Sequence, residues 1–218
     1  MDIAAAETAW GSKTRVLLIT APHAYCPVEP VVCDHSAYRL ATALRIAAQA
    51  MHMSGVTLIA KNLREDCDNN RKRCRRWPFL QRVISLLPEA SMAIDAHSFP
   101  SDYSWSLAQV PSLAVILRPF RGPFRRPVDD LITRRISEFV GKDARVYSDE
   151  AKESVIVADG TGSIVFASLA GGWQNAIMNL AVARGIKTVI LLEVNDSAPD
   201  SMVAELARIV VASVNEST

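Results

Sequence analysis

Residues 188–194 read TVILLEV, and this strongly apolar run decides the fold class of the 218-residue chain. A continuous apolar run of this length is typical of a strand buried on both faces of a sheet. A predicted helix, Trp173 to Arg184, precedes the run and is stopped by Gly185. An amphipathic helix follows from Asp200 to Val214. A buried strand between two helices predicts an α/β sheet covered on both sides.

The same alternation extends back towards the N-terminus. Predicted strands cover 15–20, 56–60, 92–95 and 113–117, shorter strands occupy 145–165, and predicted helices cover 36–51, 78–87 and 128–140. We therefore predict a single three-layer αβα domain over residues 1–218, phosphorylase- or hydrolase-like, with a mostly parallel or mixed central sheet. Residues 1–13 are polar and are predicted to form a flexible tail.

Composition limits the classes of partner. The 24 Lys and Arg residues against 23 Asp and Glu leave a net charge of +1, so a nucleic-acid partner is not expected. The sequence has no signal-peptide pattern and no apolar run near the roughly 18 residues of a membrane helix. These features predict a soluble cytoplasmic protein without a membrane partner, and they leave an extracellular or particle-borne form and the oligomeric state open.

Four cysteines form two pairs with the same spacing, Cys26 with Cys33 and Cys67 with Cys74. In a reducing compartment all four are expected as thiols, whereas in an oxidising one each pair can close a short loop. The sequence leaves both states open.

Residues able to bind a metal or transfer a proton follow three separate strands. His23 comes after the first strand, Asp95 and His97 end the strand at 92–95, and Glu193 lies near the end of the TVILLEV run. Because functional residues gather beyond the carboxyl ends of strands in open α/β sheets, we expect these side chains to meet.

Two histidines and a carboxylate, with one coordination position left open, are typical of a catalytic zinc site. Zinc lowers the pKa of water to about 7 and so provides a nucleophile at neutral pH. Glu193, held in low dielectric with a raised pKa, is the predicted general base. Asp95 is predicted to orient one of the histidine ligands without binding the metal itself.

Five segments, in the order APHAYCP, CDHSAYRLA, DNNR, IDAHSF and LLEVN, carry a family resemblance. They resemble the N-formylglutamate amidohydrolase family, whose fold and metal chemistry are similar to those of zinc carboxypeptidases. The resemblance extends from Leu17 to about Asn195, but only in separate short segments. It implies that His23, Asp34 and His97 bind zinc and that Glu193 is the general base.

The resemblance also implies a substrate-binding role for the DNNR segment. Arg71 would bind a substrate carboxylate or polarise the scissile carbonyl, since its planar guanidinium matches a carboxylate. Asn70 would contact the substrate and Asp68 would support Arg71. The implied activity is zinc-dependent hydrolysis of an amide bond in an N-acyl amino acid such as N-formylglutamate, or in a short peptide.

Some features depart from the family pattern. Tyr25 and Cys26 stand where many relatives have a glycine, and the carboxypeptidase spacing His-x-x-Glu is absent after His23. Cys26 or Glu29 therefore remains open as the third ligand in place of Asp34, which could also be a plain helix cap. The alternative function is a non-catalytic binding or structural protein that contacts a polyanion through the Arg-rich segments 71–76 and 118–127.

Overall fold

The computed structural model describes residues 5–11, 16–25, 33–61, 69, 71, 74–102, 114–118, 128, 131–132, 134–135, 138, 145–149, 154–159, 162–168 and 176–217. The strands are β1 (Ala5–Trp10), β2 (Val16–Ala21), β3 (Ser54–Ala60), β4 (Ala90–Phe99), β5 (Ala114–Arg118), β6 (Arg145–Asp149), β7 (Ser154–Asp159), β8 (Gly162–Ser168) and β9 (Thr188–Asn195). The helices are α1 (Ala37–Ala50), α2 (Pro78–Leu86, continued by a 3-10 turn at Leu87–Glu89), α3 (Ala176–Ala183) and α4 (Asp200–Glu216). Residues 128, 131–132, 134–135 and 138 are also helical, in the segment predicted as a helix.

All nine described strands form one sheet in the order β1-β3-β2-β4-β9-β5-β8-β7-β6. The central strands β3, β2, β4 and β9 are parallel to one another. Beyond them, β5 is antiparallel to β9 and parallel to β8, and the strands at both edges pair antiparallel. The predicted α/β class with a mixed central sheet is confirmed.

Two helical layers cover the sheet, because successive side chains of a strand point to opposite faces. On one face, alternate residues of the central strands pack in the same core cluster as α1 and α4, for example Ile19 and Ile94. On the other face, Leu18, Ala93 and Leu191 pack in a second cluster with α2 and α3. The three-layer architecture is therefore as predicted, while the single-domain boundary of 1–218 stays a prediction.

The chain reverses direction across the sheet at β2. From β2 it passes through α1 to β3 on one side, and from β3 it passes through α2 to β4 on the other side. At such a switch point the loops after the two strands leave in opposite directions and open a crevice. The carboxyl halves of β2 and β4 lie side by side here, since Thr20 of β2 is the register partner of Asp95 of β4.

The predicted flexible tail over residues 1–13 is wrong for residues 5–10. These residues form β1, which pairs antiparallel with β3 from Ala5 opposite Ala60 to Trp10 opposite Gly55. Arg82 of α2 also donates two hydrogen bonds of 2.7 Å to Glu7. Backbone pairing at the open edge of β3 outweighs the weak strand preference of the alanine-rich sequence.

Cys33 and Cys74 are both disulfide-bonded, so the structure differs from the all-thiol alternative. Cys26 and Cys67, the partners expected from the spacing, lie outside the described residues. Of the helices that the structure describes, none is long and apolar enough to cross a membrane.

Candidate metal centre

Three buried side chains meet at the crevice. His23 lies just beyond β2, Asp34 lies just before α1, and His97 lies in the carboxyl half of β4. Asp34 Oδ2 is 2.7 Å from His97 Nδ1 and 3.3 Å from His23 Nδ1. The two imidazole rings stand edge to face, with centroids 5.1 Å apart. One potential ligand atom from each residue lies within 4.8 Å of the others.

Backbone contacts fix the loop that carries His23. The backbone N–H of Asp34 donates to the carbonyl of His23 at 3.0 Å, which closes the chain between the two residues. The side-chain amide of Asn69 donates to the carbonyl of Pro22 at 3.0 Å. Asn69 is fully buried, and sequence reasoning singled out its neighbours Asn70 and Arg71 instead. The feature of the sequence that could have indicated Asn69 is its place inside the DNNR segment.

A chain of hydrogen bonds supports His97 from the side away from His23. His97 Nε2 donates to Asp95 Oδ2 at 3.1 Å, and Thr20 Oγ1 donates to Asp95 Oδ1 at 2.6 Å. All three side chains are buried on the α2 and α3 face of the sheet. Because Nε2 is held by Asp95, Nδ1 is the nitrogen that His97 presents to Asp34. This is the placement predicted for Asp95; Thr20 was not predicted.

The ionisation of Asp34 and His97 is mutually dependent. Burial opposes the charged form of Asp34, but hydrogen bonds from His23 and His97 outweigh it and hold the pKa of Asp34 well below its usual range. Burial likewise opposes the charged form of His97, but the carboxylates of Asp95 and Asp34 raise the pKa of His97 well above its usual value. The raised pKa of His97 favours its protonated form, in which both ring nitrogens can donate to the neighbouring carboxylates.

Glu193 lies beside His97 on the neighbouring strand. In the parallel pairing of β4 with β9, Glu193 is the register partner of His97, and in the pairing of β9 with β5 it is the partner of Val115. Alternation along β9 places Glu193 on the same face as Leu191, which is the face of Asp95 and His97. Glu193 is half-buried, whereas the other residues of β9 are buried.

The donor chemistry of the three-residue cluster fits a metal ion. Two imidazole nitrogens and one carboxylate oxygen match the ligand set of catalytic zinc sites. The hydrogen bond from His97 to Asp95 is the kind of outer contact that fixes the orientation of a histidine ligand. The cluster could therefore bind a metal. Cys26 and Glu29, the alternative ligands, lie outside the described residues.

The predicted substrate-binding residues are described only in part. Arg71 is half-buried, and its carbonyl accepts from the backbone N–H of Cys74 at 2.9 Å. Asp68 and Asn70 lie outside the described residues, as do residues 72–73 and 119–127 of the two Arg-rich segments.

The fold has counterparts among solved structures. The gene product Atu2144 from Agrobacterium tumefaciens is similar with a TM-score of 0.61 and 12% identity, over 99% of this chain and 94% of that one. N-formylglutamate amidohydrolase from Ralstonia eutropha JMP134 is similar with a TM-score of 0.55 and 13% identity, over 98% of this chain and 96% of that one. Tripeptide-bound Csd4, a cell shape determinant from Helicobacter pylori, is similar with a TM-score of 0.54 and 12% identity over 98% of this chain. The chain spans only 55% of the length of Csd4.

These likenesses define the fold. No protein-family model matches the chain, and no curated protein matches it in sequence. The chain nevertheless has the fold of an N-formylglutamate amidohydrolase, and this fold was expected from the order of its five segments.

Proposed function

We propose that this chain is a metal-dependent hydrolase that cleaves an amide bond in an N-acyl amino acid, such as N-formylglutamate, or in a short peptide. The observation that carries the proposal is the meeting of His23, Asp34 and His97 within 4.8 Å at the crevice of the sheet. The shared fold with an N-formylglutamate amidohydrolase supports the amide as the bond that is cleaved. The tripeptide bound in Csd4 supports the peptide alternative.

In this proposal His23, Asp34 and His97 hold a zinc ion. Zinc, when bound, supplies Lewis acidity that polarises a carbonyl and makes water a better nucleophile. Asp95 would hold the Nε2 proton of His97, which would leave Nδ1 as the nitrogen available to bind the ion. Because the pKa of His97 is raised, binding of the ion at Nδ1 would release a proton from this residue.

Glu193 moves the proton in the proposed reaction. Its register position beside His97 and its half-buried setting suit a group that meets both the site and the substrate. The carboxylate accepts a proton from the attacking water and then donates it to the leaving amine. Arg71 binds the substrate carboxylate or the developing oxyanion through its guanidinium, with Asn70 beside it and Asp68 in support.

The first test is the metal content of the purified protein. We expect about one zinc per chain in the wild type and its loss in His97→Ala, because a two-ligand remnant binds zinc weakly. Elemental analysis after dialysis measures this content. If the wild type contains no zinc and takes up none on titration, the proposal is wrong.

A second test separates binding from chemistry. Glu193→Gln should keep the zinc but lower turnover of N-formylglutamate or a peptide substrate by roughly 10²- to 10⁴-fold, the usual contribution of a general base. Glu205→Gln, which changes a surface acid paired with Arg208 on α4, is the matched control and should turn over like the wild type. Equal turnover in both variants would contradict the role of Glu193.

A further inference from the structure

The first turn of α1 is anchored by side chains from two other parts of the chain. Ser36 is the N-cap of α1, but its own side chain makes no capping hydrogen bond. Its backbone N–H donates to Ser98 Oγ and to Asp196 Oδ1, both at 2.9 Å. Ser98 directly follows His97, and Asp196 directly follows β9. One amide proton thus joins three segments that border the candidate metal centre.

Arg39 extends this anchor. Its guanidinium donates to Ser36 Oγ at 3.0 Å and to the carbonyl of Asp196 at 3.5 Å, and it pairs with Asp200 at 2.7 Å. The backbone N–H of Asp196 in turn donates to the carbonyl of Phe99 at 2.9 Å. The start of α1, the end of β4 and the loop after β9 therefore form one hydrogen-bonded unit.

We propose that Ser98 and Asp196 are positioning residues that hold the Asp34 carboxylate against His97 and so set the metal affinity of the site. The inference rests on the proposed function, since it assumes that Asp34 is a ligand. Ser36 is only two residues from Asp34, and the carbonyl of Asp34 accepts from the N–H of Ala37 at 3.0 Å. A displacement of Ser36 therefore carries Asp34 with it.

The geometry makes the metal site sensitive to such a displacement. A metal ligand must lie within about 0.2 Å of its ideal distance. Asp34 reaches the site from the segment before α1, whereas His97 lies within β4, which pairs with β9 at His97 itself and with β2 up to Asp95. Ser98 follows His97 on β4 and binds the segment that carries Asp34. The positions of both ligands therefore depend on the same strand.

The anchor is also favourable electrostatically. The carboxylate of Asp196 accepts from an N–H at the amino end of α1, where the helix dipole favours a negative charge. Nothing in the sequence near Asp196 marks this contact, which spans 160 positions.

The test is zinc affinity, measured with the full chain by competition against a chromophoric chelator. We expect Asp196→Ala and Ser98→Ala each to weaken zinc binding by roughly 10-fold, the low end of the range for groups that support ligands. Asp196→Asn keeps an oxygen acceptor and should recover most of the affinity. Asp200→Asn removes the same charge from the same network without touching the Ser36 N–H, and it should stay within about 2-fold of the wild type.

A zinc-free readout separates this inference from the proposed function. In the metal-free protein, ¹⁵N NMR of the histidine side chains reports the contact of His97 Nδ1 with Asp34. A changed His97 signal in Asp196→Ala and Ser98→Ala, with Asp200→Asn unchanged, supports the positioning role even if the wild type binds no zinc. An unchanged signal overturns it, and so does unchanged zinc affinity in both alanine variants of a zinc-binding wild type. If Asp196→Ala does not fold, Ser98→Ala decides by the same criteria.

Discussion

At the scale of single residues, the site depends on how His97 is oriented. Both of its nitrogens face carboxylates, Nδ1 towards Asp34 and Nε2 towards Asp95. The two contacts would have different roles in the proposed enzyme, because a bound metal would replace the proton on Nδ1 while Asp95 would retain the proton on Nε2. The pKa of His97, raised by Asp95 and Asp34 against the effect of burial, makes this exchange dependent on pH.

We expect zinc affinity to rise with pH across the neutral range. A raised pKa means that His97 is protonated in the metal-free protein below that pKa, so zinc must displace a proton there. Affinity is therefore lowest in acid and levels off once the pH exceeds the pKa of His97. Chelator competition at about pH 6 and about pH 8 measures the difference. Equal affinities at both would contradict the proton exchange at Nδ1.

Two buried strand threonines provide a matched pair for the hydrogen-bond chain. Thr20 donates to Asp95, whereas the buried Thr57 hydroxyl has no hydrogen-bond partner among the described residues. We expect Thr20→Val to lower the free energy of unfolding by about 1.5–3 kcal/mol, since a buried bond to a carboxylate is lost. Thr57→Val should be neutral or slightly stabilising. Urea denaturation of both variants measures the contrast, and equal effects would rule out a special role for Thr20.

The residues of the candidate site differ in how far the sequence could predict them. His23 and His97 could be singled out because they are chemically distinctive residues near the ends of predicted strands, whereas Asp34 was indicated only by the family resemblance. Thr20, Ser98 and Asp196 could not, because their roles depend on which side chains the folded sheet brings within 3 Å. Ser98 was visible only as part of the IDAHSF segment, and Asp196 only as a polar residue after Glu193.

At the scale of elements, apolar periodicity was sufficient for the central strands and for α1, α2 and α4. It failed for β1, because the alanine-rich stretch 5–10 has no alternation that distinguishes a strand from a tail. What makes β1 a strand is the unpaired edge of β3, a feature of tertiary structure. Edge strands of this kind are the hardest elements to predict from local sequence.

Gly55 permits the close packing of β1 and β2 on β3. A Cβ at this position would overlap the carbonyl oxygen of Leu17 and the ring of Trp10. We expect Gly55→Ala to lower the free energy of unfolding by about 1–3 kcal/mol, as for an overpacked core. Gly185→Ala has open space around its Cβ but a φ of +81°, so its cost of about 1 kcal/mol would be backbone strain alone. Urea denaturation compares the two, and a smaller effect at Gly55 would contradict this packing.

At the scale of the whole molecule, the candidate ligands come from two parts of the chain, since His97 lies 63 positions after Asp34, and they meet only in the folded state. Zinc should therefore bind the native state and not the unfolded chain. At a free zinc concentration of about 100 times the dissociation constant, we expect a stabilisation of about 2.7 kcal/mol. Thermal unfolding should show a rise of roughly 2–4 °C per kcal/mol in the wild type and none in His97→Ala. A similar rise in both proteins would place the zinc elsewhere.

The position of β9 in the sheet has a consequence for synthesis of the chain. β9 lies between β4 and β5 although it is the last of the described strands along the chain, so β1 to β8 are synthesised before the strand that joins β4 to β5. Until then the apolar edge of β4 that receives β9 is open, and an unpaired strand edge is a template for association with other chains. The nascent protein is therefore most exposed to misassembly just before residues 188–195 emerge, and a chaperone that shields extended apolar strands would act in that interval.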